Sequence, residues 1–460
     1  MTILPYLTPT LSLNKERGLK NMSIKSTIKK IVPKQIISLY HLALAWVGAV
    51  LYGFPSRKMM VIGVTGTRGK TTTSNYIWSV LTAAGYKVGQ TGTANIRIGE
   101  HEMMNQYHMT MPGRFKMQKL LSQMARAKCE IAIVETPSEG VEQFRHKGIA
   151  YDYFVFTVLY PERLAIHNWD PERCTQKMIE PFAELMKQPK KKLRGASVVK
   201  TIIVNRDSDG WERFWNNLAE KKISFGIKNH ADLSAGGIVA SSGGVDFSAN
   251  AKNYHLNIPG EYNVANALPA IAIGRALNIS DETIGRGLSS LATIPGRMEK
   301  IEAGQPFAVY VDYAHDGPSI EALLRSARQL KHGGGRVIIT VGAEGGGRDK
   351  DKRPVMGKLC AMLADFVIVT NVDPYEDDPK PILKDIADAA AGNGKRPDHD
   401  LFVIEDRREG ISKALSLGKT GDIVLITGKG AEQSMEIGGR SIPWDDRVVV
   451  KEELGRISNV

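Results

Sequence analysis

The sequence predicts an α/β protein: a P-loop domain with a parallel central sheet, followed by a second doubly wound, Rossmann-like domain. Three observations predict it. Short apolar runs alternate with helical stretches from Met59 onward. The run MMVIGV passes straight into the glycine-rich stretch TGTRGKTTT. After Pro295-Gly296-Arg297 the alternation begins afresh.

Taken in order, MMVIGVTG, YKVGQTGT, EIAIVETPS, YDYFVFTVL and KTIIVN read as buried strands. They are too continuously apolar to have a wet face. Helical stretches such as Lys70 to Ala84 and Gly113 to Lys128 lie between them, which predicts parallel pairing. From Phe225 to Pro259 glycine, serine and short alternating runs predict a small antiparallel patch, and a helix follows around Asn263 to Leu277. The second series holds the strands AVYVDYAH, RVIITVGA, DFVIVTN, DLFVIED and DIVLITGKG. The expected division is residues 1–57, a basic and apolar N-terminal segment; 58–297, the P-loop unit; and 298–460, the second unit.

The 460 residues suffice for two or three domains, and 42% hydrophobic with 24% charged residues is the balance of a soluble globular chain. Cys129, Cys174 and Cys360 lie far apart and fit no metal or redox spacing, so a reduced, cytoplasmic setting is expected. The net charge of +12 favours anionic partners, but there is no cluster of arginines and aromatics of the RNA-binding kind, so nucleic acid is excluded. Much of the excess lies before residue 60 and in the stretch Lys187 to Lys200, which reads as a solvated excursion. Ile36 to Phe54 carries no charge beyond His41 and is flanked by Lys29, Lys30, Lys34, Arg57 and Lys58. Three roles fit it: a core helix covering the first strand, a helix lying in a membrane interface, or a span.

In TGTRGKTTT a glycine-rich turn precedes a helix, so backbone N–H groups and the helix dipole favour an anion. Lys70 suits the β and γ phosphates of a nucleotide, and the Thr71 hydroxyl suits Mg²⁺. The strict P-loop pattern would place glycine at position 64, where Val64 stands. Gly63 and Gly66 bracket it, so the loop is a variant of the P-loop ATPase form.

These residues resemble a family. Gly66-Thr67-Arg68-Gly69-Lys70-Thr71-Thr72 is similar to the ATP loop of the Mur ligases, which add amino acids to the peptidoglycan precursor. Ile258 to Ala267 (IPGEYNVANA) resembles the segment near adenine, and Ile294 to Glu299 (IPGRME) the domain boundary. Val311 to His315 (VDYAH) resembles the start of the C-terminal domain. Gly347 to Pro354 (GRDKDKRP) and Thr427 to Glu432 (TGKGAE) are most similar to the MurE type, which adds a diamino acid to UDP-N-acetylmuramoyl-dipeptide. The resemblance covers about residues 58 to 455.

It implies an ATP-dependent, ADP-forming acid–amino-acid ligase working through an acyl phosphate, with ATP and Mg²⁺ as cofactors. The partners implied are a muramoyl-peptide acceptor and a free amino acid, and a monomer is expected. Gly66, Thr67, Gly69, Lys70, Thr71 and Thr72 would hold the phosphates. Asn266 and Arg297 would meet ATP, and Asp312 its ribose. Thr71 and Glu135 would bind Mg²⁺, and Lys177 falls where the family carries a carbamylated lysine able to hold a second ion. Gln143 and Arg145 would hold the muramoyl-peptide end. Arg348, Gly428 and Glu432 would grip the incoming amino acid.

Four departures qualify this. The family's Asp-His pair reads Glu162-Arg163; arginine cannot ligate a metal, so Arg163 is expected to supply fixed charge at the phosphates. The E-x-S-S-H run reads Glu135-Thr136-Pro137-Ser138-Glu139. The diamino-acid signature reads Val372-Asp373-Pro374-Tyr375, so the selective arginine is absent. Asp373, Glu376, Asp377 and Asp378 are then expected to favour a basic amino acid. Residues 1–57 are too few, too basic and too apolar for the usual UDP-binding domain, and peripheral membrane contact through residues 36–54 is the expected substitute. The competing functions are a related ligase on another chain, of polyglutamate, cyanophycin or pseudomurein type, and a non-catalytic ATP-binding scaffold.

Overall fold

The computed structural model describes residues 34–107, 109–160, 171–331 and 333–458. Among these the principal strands form two separate sheets, one with eleven strands and one with six. The first sheet holds β1 (Met60–Thr65), β2 (Val88–Thr91), β3 (Asn95–Ile98), β4 (His101–Met104), β5 (Ile131–Glu135) and β6 (Tyr153–Phe156). It continues with β7 (Thr201–Asn205), β8 (Lys221–Gly226), β9 (Leu233–Ser241), β10 (Gly244–Ala249) and β11 (Lys252–Leu256). Their order is β11-β10-β9-β8-β7-β6-β1-β5-β2-β3-β4. β1 lies between β5 and β6, parallel to both, with Val64 opposite Glu135 and Thr65 opposite Phe156. Every residue of β1, β5 and β6 is buried, as helices on both faces require. The expected antiparallel patch is β9 to β11, and it joins the parallel strands through a parallel β8–β9 pair.

The second sheet is β12 (Glu299–Ile301), β13 (Ala308–Asp312), β14 (Val337–Val341), β15 (Phe366–Val369), β16 (Leu401–Val403) and β17 (Ile423–Thr427), in the order β12-β13-β17-β14-β15-β16. All its pairs are parallel except β12 with β13. The sequence reading did not foresee β12, whose three residues are too short for a period to show.

The helices that position the site are α1 (Lys34–Leu51), α2 (Lys70–Ala83), α3 (Arg114–Arg126), α4 (Pro171–Ala183), α5 (Tyr262–Ala276), α6 (Asp281–Ser290) and α7 (Gly317–Leu330). α2 starts at the phosphate loop and is nearly all buried, because α6 covers it; Ser79 Oγ donates to the Gly287 carbonyl at 2.6 Å. α7 is capped by Asp316, whose carboxylate accepts from the Ser319 N–H.

Two expectations are corrected. α1 does not cover β1; it lies on α3. Its small face, Ala45, Gly48 and Ala49, is buried, and a Cβ on Gly48 would sit 3.5 Å from Gln118 Cγ and 3.6 Å from Phe115 Cδ1. Small residues allow that close approach and leave the larger apolar side chains outside. Among the described residues no helix is long and apolar enough to cross a membrane.

The stretch Lys187 to Lys200 is not a free excursion. Lys191 and Lys200 are buried, and each places its Nζ 2.6 Å from the fully buried Asp152 carboxylate. Asp152 also accepts from the Val61 N–H at 2.9 Å, so these lysines brace β1 itself. A charge count from sequence cannot tell two internal cations from two solvated ones.

Candidate active site

The phosphate loop turns at the C-terminal end of β1, next to the ends of β5 and β6. Gly66 has φ +135° and Gly69 φ +79°, and close neighbours forbid a side chain at either. A Cβ on Gly66 would lie 2.1 Å from Thr157 Oγ1, and one on Gly69 would lie 2.4 Å from Asn266 Oδ1. Thr157, just past β6, donates to the Arg68 carbonyl at 2.6 Å. The Thr67 N–H donates to the Val158 carbonyl at 2.8 Å. The loop is therefore fixed from β6 on one side and from α5 on the other.

Lys70 donates to the Gly66 and Thr67 carbonyls at 2.7 and 3.1 Å, which keeps its ammonium over the loop. Thr71 Oγ1 donates to Glu135 Oε2 at 3.1 Å, and Thr93 Oγ1 reaches the same oxygen at 3.0 Å. Glu135 is fully buried. Burial pushes its carboxyl pKa up, against the pull of Lys70, Thr93, Arg297 and Thr71. Gly92 makes room for it: a Cβ there would come within 2.1 Å of Glu135 Oε1. Thr71 and Glu135 are hard oxygen donors side by side, a fit for one Mg²⁺ completed by phosphate and water. Among the described residues no group of three His, Cys, Asp or Glu could hold a metal.

The second sheet closes over this point. Arg297 Nη2 donates to Thr71 Oγ1 at 3.4 Å, and its guanidinium lies 4.4 Å from the centre of the Tyr313 ring. Arg68 pairs with Asp316 at 2.9 Å. Asp312 ends β13 buried, and both its oxygens accept backbone bonds, from Met298 N–H and Ala314 N–H at 2.8 Å each. Tyr313 Oη donates to Glu432 at 3.1 Å. Thr93, Thr157, Tyr313 and the Arg68–Asp316 pair were missed in sequence, because only the fold brings these separated segments together.

Around Glu432, Lys429 lies 2.6 Å from that carboxylate and 2.7 Å from Asp373. Arg348 donates to the Tyr375 hydroxyl at 3.2 Å and faces Glu344 at 3.6 Å. Burial works against the Glu344 charge, but Lys352, Arg348, His315 and Lys429 outweigh it and hold its pKa at about 2. Gly428 has φ +110° and packs against Val372.

Three of the four acids expected to attract a basic amino acid are bonded within the protein. Asp373 is buried and shares the single Lys429 ammonium with Glu432. Asp377 accepts from the Gly346 N–H at 2.9 Å, and Asp378 caps the helix Pro379–Ala391 through the Lys380 N–H. These three acids are engaged by the protein itself.

Other expected residues bond partners outside the loop. Lys177, on α4, bonds Glu180 at 3.0 Å and Glu142 at 3.3 Å. Burial opposes its charge, but Glu180 and Glu142 outweigh it and raise its pKa. As an unmodified ammonium between two carboxylates, Lys177 is an ion-pair partner and not itself a metal ligand. Gln143 Oε1 accepts from Arg145 Nη2 at 2.7 Å. Arg163 and Glu162 lie outside the described residues.

A glycine loop fixed at the end of a central parallel strand, with Lys70, Thr71, Glu135 and Arg297 converging on it, defines a P-loop nucleotide-binding protein with a second α/β unit against its site. Residues 64–274 match the Mur ligase middle domain and residues 296–430 the Mur ligase glutamate ligase domain. The chain belongs to the Mur ligase family, whose members are ATP-dependent ligases, and the alternative of a scaffold without chemistry is not favoured. It is 34% identical, over 89% of its length and 81% of the relative's, to a UDP-N-acetylmuramoyl-L-alanyl-D-glutamate–2,6-diaminopimelate ligase of Clostridium acetobutylicum. It is also 34% identical to a UDP-N-acetylmuramyl-tripeptide synthetase of Roseiflexus sp., over 93% of this chain and 84% of that one. Among solved structures, a UDP-N-acetylmuramoyl-L-alanyl-D-glutamate–2,6-diaminopimelate ligase superposes with a TM-score of 0.57 at 25% identity, over 87% of this chain and 79% of that one. The Mycobacterium tuberculosis folylpolyglutamate synthase complexed with ADP reaches 0.65 at 17% identity, over 91% and 94%, a likeness of fold alone.

Proposed function

We propose that the protein joins an amino acid to the terminal carboxylate of a muramoyl-peptide in peptidoglycan precursor synthesis. The observation that carries this reading is the run of direct contacts Glu135–Thr71–Arg297–Tyr313–Glu432, which links the phosphate loop to the group suited to a zwitterion. In this reading Gly66, Thr67, Gly69, Thr71 and Thr72 cradle the phosphates, and Lys70 neutralises the β and γ groups. Asn266 and Arg297 meet ATP, and Asp312 faces the ribose. Gln143 and Arg145 hold the acceptor; Arg348 takes the amino acid's carboxylate and Glu432 its ammonium. An acceptor carboxylate oxygen attacks the γ-phosphorus and ADP leaves. The amine nitrogen, having lost a proton, attacks the acyl carbon, and phosphate leaves. Mg²⁺ at Thr71 and Glu135 would neutralise charge on the transferring phosphoryl group. The proposed division falls near Arg297, with an ATP-binding unit before it and a second unit after it.

The test supplies ATP with a panel of acceptors and amino acids, and reads phosphate release and product mass. Release is expected only with a muramoyl-peptide and an amino acid together, giving an acceptor heavier by one amino acid less water. Release with a glutamyl chain instead would move the reading to a relative with another substrate.

Peripheral contact with an anionic bilayer is also proposed. Ile36, Leu39, Tyr40, Trp46, Val47, Val50 and Leu51 form one exposed stripe along α1, with Leu39 68% and Leu51 69% exposed, and exposed Arg57 and Lys58 follow. Apolar and aromatic residues beside cations suit an interface. Because α1 also packs on α3, the test replaces Leu39 and Val47 with Glu instead of deleting the helix. The intact protein should float with anionic vesicles and the double variant should not. If neither floats at low salt, the contact is wrong. Light scattering should give the mass of one chain; a dimer dispersed by the same double variant would make the stripe a pairing surface.

A further inference from the structure

Arg114 is the first residue of α3, and nothing in the proposed roles uses it. The preceding Gly113 makes no side-chain cap, and a Cβ built on it would meet nothing within 4 Å, so space lies open before the helix end. Arg114 Nε and Nη2 are buried and have no hydrogen-bond partner. Arg145 lies close by: its Nη1 donates to the carbonyl of Met111, three residues before Arg114, while its own Nε is also buried without a partner. Burial lowers the Arg114 pKa to about 10, and the Arg145 charge adds to the effect. Among the described residues neither guanidinium has a salt bridge to a carboxylate, and Glu139 acts on the Arg145 charge only from beyond ion-pair distance. Two adjoining cations with buried, unused N–H groups are costly unless an anion joins them.

The position is informative. Thr110 Oγ1 bonds Thr93 Oγ1 at 2.9 Å, and Thr93 bonds Glu135 at 3.0 Å. The segment that carries Arg114 is thus tied to the carboxylate beside the phosphate loop. Four residues span at most about 14 Å, so Arg114 lies within one small peptide's length of that point. α1 packs against the neighbouring Phe115, and Tyr40 is among the groups acting on the Arg114 charge.

We propose that Arg114 and Arg145 form an anion subsite for a second negatively charged group of the acceptor, distinct from the carboxylate that reacts. The group is a carboxylate or a phosphate, since either offers paired oxygens to two guanidinium forks. The reacting carboxylate goes to the phosphate loop, while the second anion fixes the acceptor from the side where α1 lies. The proposal rests on the muramoyl-peptide reading and adds a residue and a charge requirement to it.

The test compares wild type, Arg114→Gln and Arg114→Lys. Arg114→Gln should raise the acceptor KM by about 10- to 100-fold with the ATP KM unchanged, and Arg114→Lys should recover part of the loss. ADP binding serves as the control for folding. With an acceptor whose non-reacting carboxylate is amidated, loss of the difference between wild type and Arg114→Gln identifies a carboxylate. Loss of that difference with a carrier-free muramoyl-peptide identifies a phosphate. An unchanged acceptor KM in Arg114→Gln overturns the subsite. A second readout needs no turnover: with ADP saturating, glutarate or inorganic phosphate should raise the melting temperature of wild type more than that of Arg114→Gln. Equal stabilisation of wild type and Arg114→Gln by each of the two anions overturns the subsite. A retained difference in an enzyme that turns over no muramoyl-peptide removes the proposed function alone.

Discussion

Lys70 and Glu135 both neighbour Thr71, and the proposed function gives them different tasks. The Lys70 ammonium is held over the loop by the carbonyls of Gly66 and Thr67, so its charge is placed before phosphate arrives. Lys70→Ala should lower kcat by about 10²- to 10³-fold, the range for losing one placed donor in a transition state. Glu135 faces Thr71 and Thr93 and no group assigned to the base or ribose. Glu135→Gln should therefore raise the Mg²⁺ concentration needed for half-maximal rate more than it raises the dissociation constant for ADP. Near-normal ligation by the lysine variant, or an unchanged Mg²⁺ requirement in the glutamine variant, would remove these assignments.

Among the elements, β1 bears the greatest constraint, because it carries the loop and is braced from a distant stretch of chain. Asp152 holds the Val61 N–H and two buried lysines at once, and Lys191 and Lys200 also donate to backbone carbonyls around it. Burial lowers the Lys191 pKa to about 8 even with Asp152 beside it. Asp152→Asn would leave two buried cations without their anion. It should cost about 3–5 kcal/mol in denaturant unfolding, as breaking a buried ion pair does. A loss below about 1 kcal/mol would mean that the lysines reach water in solution. The same reasoning explains α1: its alanines and glycine seat it on α3, while its large apolar side chains lie exposed.

At the scale of the molecule, the two sheets meet at a seam of close backbone contacts. Gly296 has φ +62°, and a Cβ there would lie 2.1 Å from the Ala431 N atom. Arg297 follows directly and reaches Thr71, while Glu432 follows Ala431 and reaches Tyr313. Gly296→Ala must separate these two loops, since neither backbone can yield as a flexible side chain would. It should lower kcat by about tenfold or more with ADP affinity little changed, because one ångström of misplacement can cost about 10²-fold. An unchanged kcat would show that the seam adjusts without disturbing the site.

The sequence by itself determined the fold class, most strands of both sheets (though not β3, β4, β8 or β12), and the phosphate loop. Local period, glycine at the turn and the lysine after it are properties of neighbouring residues, and these are legible along the chain. The chain also showed the absence of the selective arginine, since a missing residue type needs no geometry. What the acids near that position bond to was decided by tertiary structure. Asp373 reads as an available acid until Lys429, 56 residues later, is found 2.7 Å away. Lys191 reads as solvated until Asp152 is found beneath it, and nothing along the chain shows that Lys177 pairs with Glu142 and Glu180. Arg114 was not singled out along the chain, and only the fold sets it beside Arg145. Charge pairing is a contact between distant parts of the chain, and no local pattern encodes it; only the folded chain determines which ions are already satisfied.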